Sequence, residues 1–420
     1  MNTILIIGGG ASGMAAALAA RERLDCRVVL LERQSRVGRK LLATGNGRCN
    51  LTNRSAAPGR YHGENAAFAV PALERFGVDD TLSWFSSLGL RTRTEAGSGR
   101  VYPLSDAAAS VVDTLRLALE ARGVETRCGF EASRVTRTET GFAVEAAPGG
   151  SRDGSDRGDT IRGDRLIVAC GGLAGTRLGG TKSGYELLES LGHRRTRLCP
   201  ALVQLRTDNA WTRAMKGVRT QAALTLTQGG GVIARAAGEV QFTDYGVSGP
   251  AVFDLSRAAA AAGDGCVLTL RLLPELAEDD IMQYLTAKQA VFPNYKAEYL
   301  FTGALHNAIA RVLLRRTGIS PEAYLWALDE SALSRLADAA VRFTLPVTGT
   351  MGFDGAQVTA GGVRTDGFDP ATMESRLVPG LYACGEVLDI DGDCGGFNLQ
   401  WAWSSGRLAG TSAARTEDGP

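Results

Sequence analysis

The chain has 420 residues, 44% of them apolar and 22% charged, with a formal net charge of +1, which predicts two or three ordinary globular domains. The near-neutral charge argues against nucleic acid or an anionic membrane as a general partner, and no apolar stretch is long enough to span a membrane. Eight scattered cysteines without a C-x-x-C pair predict reduced thiols in a cytoplasmic protein, and neither they nor the three histidines have the spacing of a metal site.

The first predicted element is a buried strand that ends in a glycine turn and leads into a helix. Residues 3–7 are rich in Ile and Leu, and an alanine-rich helix is predicted over 15–24. Between them the G-x-G-x-x-G spacing is typical of dinucleotide-binding folds. Gly8 allows a sharp turn, Gly10 lets a pyrophosphate approach the backbone, and Gly13 lets the helix lie close to the strand. The helix N-terminus adds unpaired N–H groups that attract phosphate. Alone, this turn allows NAD, FAD or a packing role.

A second strand is predicted over residues 27–31, with Glu32 at its C-terminal end. This acidic residue lies about twenty positions beyond the glycine turn, where a dinucleotide fold needs a carboxylate for the ribose hydroxyls. The alternative is a solvent-exposed glutamate at a strand end.

Residues 36–53 form an unusual loop that is rich in glycine, asparagine and threonine, with Arg39, Lys40 and Arg48 interleaved. Such a loop can surround a phosphorylated ligand with backbone amides and balance its charge. A solvated basic loop is the alternative.

The next segment predicts further parallel strands and an antiparallel meander. The elements in order are a helix over 105–122, a strand over 124–128, a β-hairpin over 130–147, an exposed loop over 148–159 and a strand over 166–170. Two glycines follow the last strand, and we expect a second approach of the backbone to the ligand there.

The alternation of strands and helices is lost between about residues 196 and 344. Strands over 201–206, 218–228, 231–243 and 265–273 predict an antiparallel sheet or barrel, and helices are predicted over 273–318. Seven basic residues near the start of this insert predict a solvated face, with an anionic ligand or RNA as the alternative. They are Arg194, Arg195, Arg197, Arg206, Arg213, Lys216 and Arg219.

The fold class that we predict is α/β, with a Rossmann-type FAD-binding domain made of a parallel sheet and a β-meander. This domain takes residues 1–195 and 346–420. An inserted antiparallel β-barrel-like domain takes residues 196–272 and is re-entered over 326–345. A small helical subdomain takes residues 273–325.

The C-terminal part returns to the nucleotide pattern, because it repeats short buried strands that end in glycines. A strand with a Gly-Gly turn lies over residues 356–363, a strand ending in Gly-Glu over 380–386, and a turn-rich loop over 389–400 runs into a helix. An extended FAD needs both ends of this pattern, whereas NAD needs only the first. A helix that begins near Phe397 would point its positive end at the flavin N1/O2 edge.

These motifs resemble those of the BaiN/YhiN-type bacterial flavoproteins, an aminoacetone-oxidase-like, NAD(P)/FAD-dependent oxidoreductase family. The matching segments are GGGASGMAAA (8–17), RVGRKLLATGNGRCNLTN (36–53), GRVYPLSD (99–106), AQVTAGGV (356–363) and GLYACGEVLDIDGDCGGFNLQWAWSSGRLAG (380–410). The resemblance spans essentially the whole chain. It implies a flavoprotein fold with a β-barrel-like insert, a small helical domain and non-covalently bound FAD.

The resemblance also implies a role for individual residues. The glycine turn would hold the pyrophosphate, Glu32 the adenosine ribose, Glu386 the pyrophosphate–ribityl part, and the start of the C-terminal helix the flavin ring. The cofactor-binding residues that we predict are Gly8, Gly10, Ala11, Ser12, Gly13, Glu32, Arg33, Gly38, Arg39, Lys40, Leu41, Thr44, Asn46, Gly47, Asn50, Gly171, Gly172, Gly385, Glu386, Gly396, Asn398, Leu399 and Gln400.

The predicted function is an FAD-dependent oxidoreductase that transfers hydride or electrons between the flavin and a small organic substrate, with NAD(P)H as a transient donor. The alternative is a flavoprotein whose basic insert binds RNA or a protein partner. No motif identifies a catalytic acid or base, and no pattern specifies an oligomeric state. Cys49 and Cys394 lie in loops that we expect near the flavin, although neither has a partner cysteine in sequence.

Overall fold

The computed structural model describes residues 2–23, 25–147 and 159–415. The chain divides into two compact units. The first, here called the discontinuous unit, comprises residues 1–199 and 357–420, and the second, the inserted unit, comprises residues 200–356.

A five-stranded parallel sheet forms the centre of the discontinuous unit. The three inner strands contain runs of Ile, Leu and Val, which explains why they can be buried on both faces. The strands in spatial order are Leu381–Ala383, Arg165–Val168, Asn2–Ile7, Cys26–Glu32 and Glu125–Cys128. The first strand of the chain is therefore central, and the predicted parallel sheet is confirmed.

Two helices from opposite ends of the chain pack against each other beside this sheet. The helix Ala11–Ala20 contacts the helix Phe397–Ala413, here called the C-terminal helix. A Cβ atom at Gly410 would lie 2.1 Å from the Ala16 carbonyl oxygen, so only glycine permits this approach. The glycine turn and the start of the C-terminal helix thereby belong to one packed structure.

Smaller sheets and helices complete the discontinuous unit. The predicted meander is confirmed as a three-stranded antiparallel sheet. The predicted exposed loop over 148–159 lies outside the described residues, except for its last residue. The meander strands are Ala132–Arg137, Phe142–Ala146 and Thr160–Gly163. The other small sheets contain Thr52–Asn53, Thr92–Thr94 and Arg100–Pro103, and Tyr61–His62 with Asp391–Gly392. The remaining α-helices of this unit are Val70–Arg75, Val78–Ser87, Ala108–Ala121 and Ser183–Ser190, and a short strand lies at Val358–Ala360. Another short strand, Cys199–Ala201, begins at the last residue of the unit's first segment.

The inserted unit contains a closed antiparallel barrel of six strands. The barrel is filled by leucines on alternate strand positions, such as Leu224, Leu226 and Leu268, which are at most 1% exposed. The strands in spatial order are Leu205–Thr207, Gly246–Ser248, Gly231–Phe242, Arg219–Gln228, Cys266–Arg271 and Phe343–Thr350. The predicted barrel-like insert is confirmed.

Helices surround or extend the barrel within the inserted unit. Their bounds are Asn209–Thr212, Pro250–Ala262, Glu278–Val291, Asn307–Arg316, Glu330–Val341 and Gly352–Gly355. The helix Pro250–Ala262 is absent from the prediction, because its alanine-rich sequence lies between two segments that predict strands. In the described part of the chain, no helix is both long and apolar enough to cross a membrane.

Candidate cofactor site

The glycine turn combines close packing at one position with open space at another. A Cβ atom at Gly13 would lie 1.8 Å from the Gly8 carbonyl oxygen, so the helix starts in direct contact with the turn. At Gly10, no heavy atom of the described chain beyond its sequence neighbours would lie within 4 Å of a Cβ. Ala11 and the buried Ser12 begin the helix there. Because the first N–H groups of a helix lack intrahelical partners, this open space suits an anionic group.

Glu32 ends the second strand and contacts the glycine turn directly. Its Oε2 accepts a hydrogen bond from Gly9 N at 2.7 Å, and its Oε1 accepts one from Gln34 N at 2.7 Å. Burial raises the pKa of the Glu32 carboxyl, against the opposing effect of these two N–H donors. The next residue, Arg33, donates from its guanidinium to the Gly179 carbonyl oxygen at 2.9 Å. The strand end therefore holds a carboxyl group fixed against the turn.

The loop over residues 36–53 is an irregular turn with left-handed backbone at its centre. Asn46 and Gly47 have φ values of 56° and 82° and are exposed, so their backbone is open to a ligand. Leu41 is buried, and its carbonyl oxygen accepts a hydrogen bond from Thr44 Oγ1 at 2.6 Å. The turn is thus anchored on one side and open on the other.

Other predicted residues of this loop connect it to neighbouring segments. Gly38 N donates to the Gly9 carbonyl oxygen at 2.8 Å, which ties the loop to the glycine turn. The Arg39 guanidinium donates to the Gln34 side chain. Asn50 Oδ1 accepts a backbone N–H of an adjacent strand at 3.2 Å. These contacts give the loop a defined path beside the turn.

An ion pair joins this loop to the C-terminal Gly-Glu turn. Lys40 Nζ lies 2.9 Å from Glu386 Oε2, and Glu386 Oε1 accepts a hydrogen bond from Thr359 N at 2.8 Å. A Cβ at Gly172 would lie 2.5 Å from Glu386 Oε1, whereas one at Gly171 would meet no heavy atom of the described chain within 4 Å. Gly172 therefore lies against the Glu386 carboxylate, whereas Gly171 has open space beside it.

Gly385 links the two ends of the chain at the glycine turn itself. A Cβ at Gly385 would lie 2.5 Å from Ser12 Oγ. Gly385 N donates to Ser405 Oγ at 3.0 Å, and its carbonyl oxygen accepts from Trp401 Nε1 at 3.1 Å. The C-terminal helix thus fixes the Gly-Glu turn beside the start of the first helix.

The start of the C-terminal helix packs against the loop over residues 36–53. Gly396 has a φ of 103°, and a Cβ there would lie 2.6 Å from the Thr52 carbonyl group. Asn398 forms two hydrogen bonds of 2.8 Å with the backbone of Gly392, one as acceptor and one as donor. Leu399 is half-buried. The turn that precedes the helix is therefore held by the helix's own first residues.

Gln400 is fully buried, and its amide is bound by protein groups. Thr52 Oγ1 donates to its Oε1 at 2.6 Å, while its Nε2 donates to Thr81 Oγ1 at 2.9 Å and to the Phe76 carbonyl oxygen at 3.1 Å. The contact of Gln400 with a flavin ring stays a prediction. In the structure its amide connects the C-terminal helix to two other segments.

Three cysteines of this region are protonated thiols at neutral pH, because burial raises their pKa. The pKa of Cys49 rises to about 12, and those of Cys170 and Cys384 also rise to about 12. A nucleophilic thiol needs a lowered pKa. These three residues therefore contribute packing and not an activated thiolate, while Cys394 is half-buried.

His193 lies in the core, as the sequence predicts for a cap or core histidine. Its ring stacks on Phe368 with a centroid distance of 4.3 Å, and its Nε2 lies 2.9 Å from Ser375 Oγ. Burial lowers the pKa of His193.

Three residues of the predicted basic run form ion pairs with acidic neighbours. The pairs are Arg195–Glu189, Lys216–Asp244 and Arg219–Glu239.

Sequence reasoning missed a cluster of polar side chains at the loop before the C-terminal helix. His62 Nε2 lies 2.7 Å from Asp393 Oδ1, and Arg60 Nη1 donates to Asp393 Oδ2 at 3.2 Å. Burial opposes ionisation of Asp393, but the hydrogen bonds from His62 and Arg60 outweigh it and lower its pKa. His62 and Asp393 are 331 positions apart in the chain, so no local sequence pattern could have predicted their contact.

Comparison with known proteins identifies relatives over the whole chain. The sequence model of a family described as "HI0933-like protein Rossmann domain" matches residues 2–412. A 3-dehydro-bile acid delta(4,6)-reductase of Clostridium scindens is 40% identical over 99% of this chain and 99% of its own length. A ribosomal RNA dihydrouridine synthase of Escherichia coli is 32% identical over 96% of this chain and 95% of its own length.

A solved structure supports the fold independently of sequence identity. The 3-ketosteroid delta1-dehydrogenase of Sterolibacterium denitrificans superposes with a TM-score of 0.50 and 13% identity, covering 99% of this chain and 100% of the dehydrogenase. At this identity the likeness concerns the fold alone. The family resemblance inferred from the motifs and the predicted oxidoreductase class are confirmed by the sequence relatives.

Proposed function

Because the chain belongs to the HI0933-like Rossmann-domain family, we propose that it binds FAD and reduces a carbon–carbon double bond conjugated to a carbonyl group. The observation that carries the proposal is the open space at Gly10. It lies at a helix N-terminus and next to the turn that Glu32 binds. A dinucleotide pyrophosphate has the size and charge for this position.

FAD fits the site better than NAD because the C-terminal segment is built into it. Lys40 and Glu386 join the loop to the Gly-Glu turn, and Gly385 packs on Ser12 at the glycine turn. The adenosine would bind at Glu32, the pyrophosphate at Gly10, and the flavin between the loop and the start of the C-terminal helix. When bound, FAD supplies hydride chemistry, and the protein supplies position, electrostatics and exclusion of water.

The type of substrate is inferred from what the relatives have in common. A 3-dehydro-bile acid delta(4,6)-reductase and a dihydrouridine synthase both saturate a carbon–carbon double bond in conjugation with a carbonyl group. That bond accepts a hydride at its β-carbon and a proton at its α-carbon. We extend the same reaction to this chain, with a small conjugated ketone as substrate and NAD(P)H as the donor that reduces the flavin.

The test is an anaerobic two-step experiment on the protein loaded with FAD. NADH or NADPH should bleach the absorbance of the oxidised flavin, and a 3-oxo-4,6-diene steroid should restore it with one product per flavin. Gly10→Val, which we expect to fold without FAD, is the matched control. A protein that binds no FAD, or a reduced flavin that no conjugated carbonyl compound reoxidises, would contradict the proposal.

A second candidate substrate is a uridine base within ribosomal RNA, reduced by the same reaction. Two observations favour it: the dihydrouridine synthase relatives, and a group of exposed aromatic side chains in the inserted unit on which bases can stack. These are Phe292, Tyr295, Tyr299, Tyr324 and Trp326, which are 38% to 64% exposed.

The RNA alternative is tested by complementation. An Escherichia coli strain without its own relative would be supplied with this chain or with its Trp326→Ala variant, and dihydrouridine in ribosomal RNA measured by mass spectrometry. Restored dihydrouridine that falls with Trp326→Ala supports RNA as substrate. No dihydrouridine from a well-expressed chain removes this alternative and leaves the small conjugated ketone.

A further inference from the structure

The exposed aromatic side chains of the inserted unit form one surface, here called the aromatic patch. It consists of Phe292, Tyr295, Tyr299, Tyr324 and Trp326, on two segments that comprise residues 288–299 and 321–328. The ring centre of Tyr295 lies 5.4 Å from that of Phe292 and 6.4 Å from that of Tyr299. The rings of Tyr324 and Trp326 are nearly parallel, with their centres 6.3 Å apart. The exposed rings are therefore neighbours of one another and not isolated surface residues.

Backbone hydrogen bonds hold the two segments of the aromatic patch together. Leu325 N donates to the Tyr295 carbonyl oxygen at 2.8 Å, and Trp326 N donates to that of Pro293 at 2.9 Å. Leu325 itself is buried, and the Gln289 side-chain amide donates to its carbonyl oxygen at 2.7 Å. The exposed rings thus extend from a fixed backbone, so a partner that covers them would have little chain to order.

The exposed area of the aromatic patch is comparable with the apolar centre of a dimer interface. An aromatic side chain can bury about 150 to 250 Å², so five of them that are 38% to 64% exposed present roughly 500 Å². Val291, next to Phe292, is 68% exposed. The largest apolar patch on a typical monomer is about 300 to 600 Å². Each partner in a stable dimer buries about 800 Å², with an apolar centre and a polar rim.

The charged side chains of the same two segments balance each other. They are Lys288, Lys296, Glu298 and Glu322. Lys296 is paired with Glu322, and Glu298 is paired with Arg311. A single-stranded nucleic acid needs a basic groove along its phosphates, which a surface of this charge does not supply. A neutral surface can face a second copy of itself without repulsion between like charges.

We propose that the aromatic patch is the interface through which two copies of this chain form a two-fold symmetric dimer. A two-fold interface joins the same surface of both copies, so a patch with an aromatic centre and no net charge can pair with itself. Tyr and Trp contribute much of the binding energy at protein interfaces. Trp326 and Tyr295 are 64% and 57% exposed, more than the other rings of the patch, and we expect them to contribute most.

The test is the mass in solution of the purified full-length chain, measured by sedimentation equilibrium. Wild type should have twice the mass of one chain at micromolar concentration. Trp326→Glu combined with Tyr295→Glu should raise the dissociation constant of the dimer at least about 100-fold, because each new carboxylate would be buried without a partner. The matched control is Leu117→Glu, at a 55% exposed position of the helix Ala108–Ala121, which should leave the dissociation constant unchanged.

A pair of charge reversals gives a second readout that a loss of folding would not imitate. Lys296→Glu makes the aromatic patch acidic, and Glu322→Lys makes it basic. Each variant alone should dimerise about tenfold more weakly than wild type, because like charges then meet across the interface. Mixing the two variants in equal amounts should restore the dimer, since patches of opposite charge then face each other. Two variants that dimerise no better together than alone contradict the interface.

The other outcomes are equally decisive. A wild type that stays monomeric at about 100 µM overturns the inference, and so does a dimer that is unchanged by Trp326→Glu combined with Tyr295→Glu. RNA that binds a monomeric wild type and is lost in Trp326→Ala also overturns it and assigns the aromatic patch to the RNA alternative. The mass is measured without substrate, so this inference can fail while the reduction of a conjugated ketone stands, and the reverse.

Discussion

Lys40 Nζ lies 2.9 Å from Glu386 Oε2, and this ion pair joins two segments that are 346 positions apart in the chain. The side chains are 32% and 20% exposed, and Glu386 also accepts a backbone hydrogen bond from Thr359. A partly exposed pair of this kind contributes little to folding, about 1 kcal/mol at most. Because the pair joins the loop to the Gly-Glu turn, we expect its main effect to be on the binding of the proposed cofactor.

Replacing Lys40 with Met should therefore weaken FAD binding more than it weakens the fold. We expect the dissociation constant for FAD to rise about tenfold, roughly 1.4 kcal/mol, while the melting temperature of the apo protein changes little. Isothermal titration with FAD and thermal unfolding of the apo protein measure the two effects. The control is Arg54→Met, which breaks the exposed pair of Arg54 with Asp79. Equal FAD affinity of Lys40→Met and Arg54→Met would contradict this role.

Two glycines of the same turn should respond differently to alanine. At Gly13 the new Cβ would lie 1.8 Å from the Gly8 carbonyl oxygen, so the backbone must shift. We expect Gly13→Ala to lower the free energy of unfolding of the apo protein by about 3 kcal/mol. Gly10→Ala should change it by less than about 0.5 kcal/mol, because its Cβ meets no close neighbour in the described chain. Urea unfolding of both apo variants measures the two losses in the free energy of unfolding. Equal losses would contradict the difference in packing between Gly13 and Gly10.

The buried amide of Gln400 should stabilise the fold in the absence of any cofactor. Gln400→Leu would remove the amide partner of Thr52 Oγ1 and of Thr81 Oγ1, whereas the Phe76 carbonyl oxygen would keep its hydrogen bond from Ser404 Oγ. The expected loss is about 2 to 3 kcal/mol in the free energy of unfolding of the apo protein. Gln221→Leu, at an exposed position of the barrel, is the matched control. A loss that appears only when FAD is present would instead favour direct contact with the flavin.

His193 should make the fold sensitive to acid. Burial lowers its pKa in the folded state, so the unfolded chain binds the proton more readily. The stabilisation is therefore complete above the unfolded pKa of about 6.5 and is lost as pH falls through the folded value. Urea unfolding between pH 8 and 5 should show a flatter slope for His193→Gln than for wild type. The same series on His306→Asn, which keeps a capping residue before the helix Asn307–Arg316, should keep the wild-type slope.

The sequence predicted best those elements whose local residue pattern also determines their burial. The strand Asn2–Ile7 ends in a continuous apolar run of four residues, and the glycine spacing after it has a stereochemical cause, so both could be predicted. The helix Pro250–Ala262 is absent from the prediction although its alanines and the proline in its first turn favour a helix locally, because the flanking segments predict a continuous antiparallel sheet.

Contacts between segments that are far apart in the chain could not be predicted from the sequence. Gln400 lies in a motif that suggests a ligand contact, yet its amide partners come from residues 52, 76 and 81. Asp393 lies in the C-terminal motif but His62 lies in no motif, and the pairing of two short strands brings them together. Contacts of this kind are visible only once the chain is folded.

The most direct test of the account is a titration of apo protein with FAD, comparing wild type with Gly10→Val. The Cβ of the valine would meet no heavy atom of the described chain within 4 Å, and we expect both chains to show the same urea unfolding midpoint. Wild type should saturate at one FAD per chain, and Gly10→Val should bind at least about 100-fold more weakly, roughly 2.7 kcal/mol. A folded Gly10→Val that binds FAD as tightly as wild type, or a wild type that binds none, would contradict an FAD site at the glycine turn.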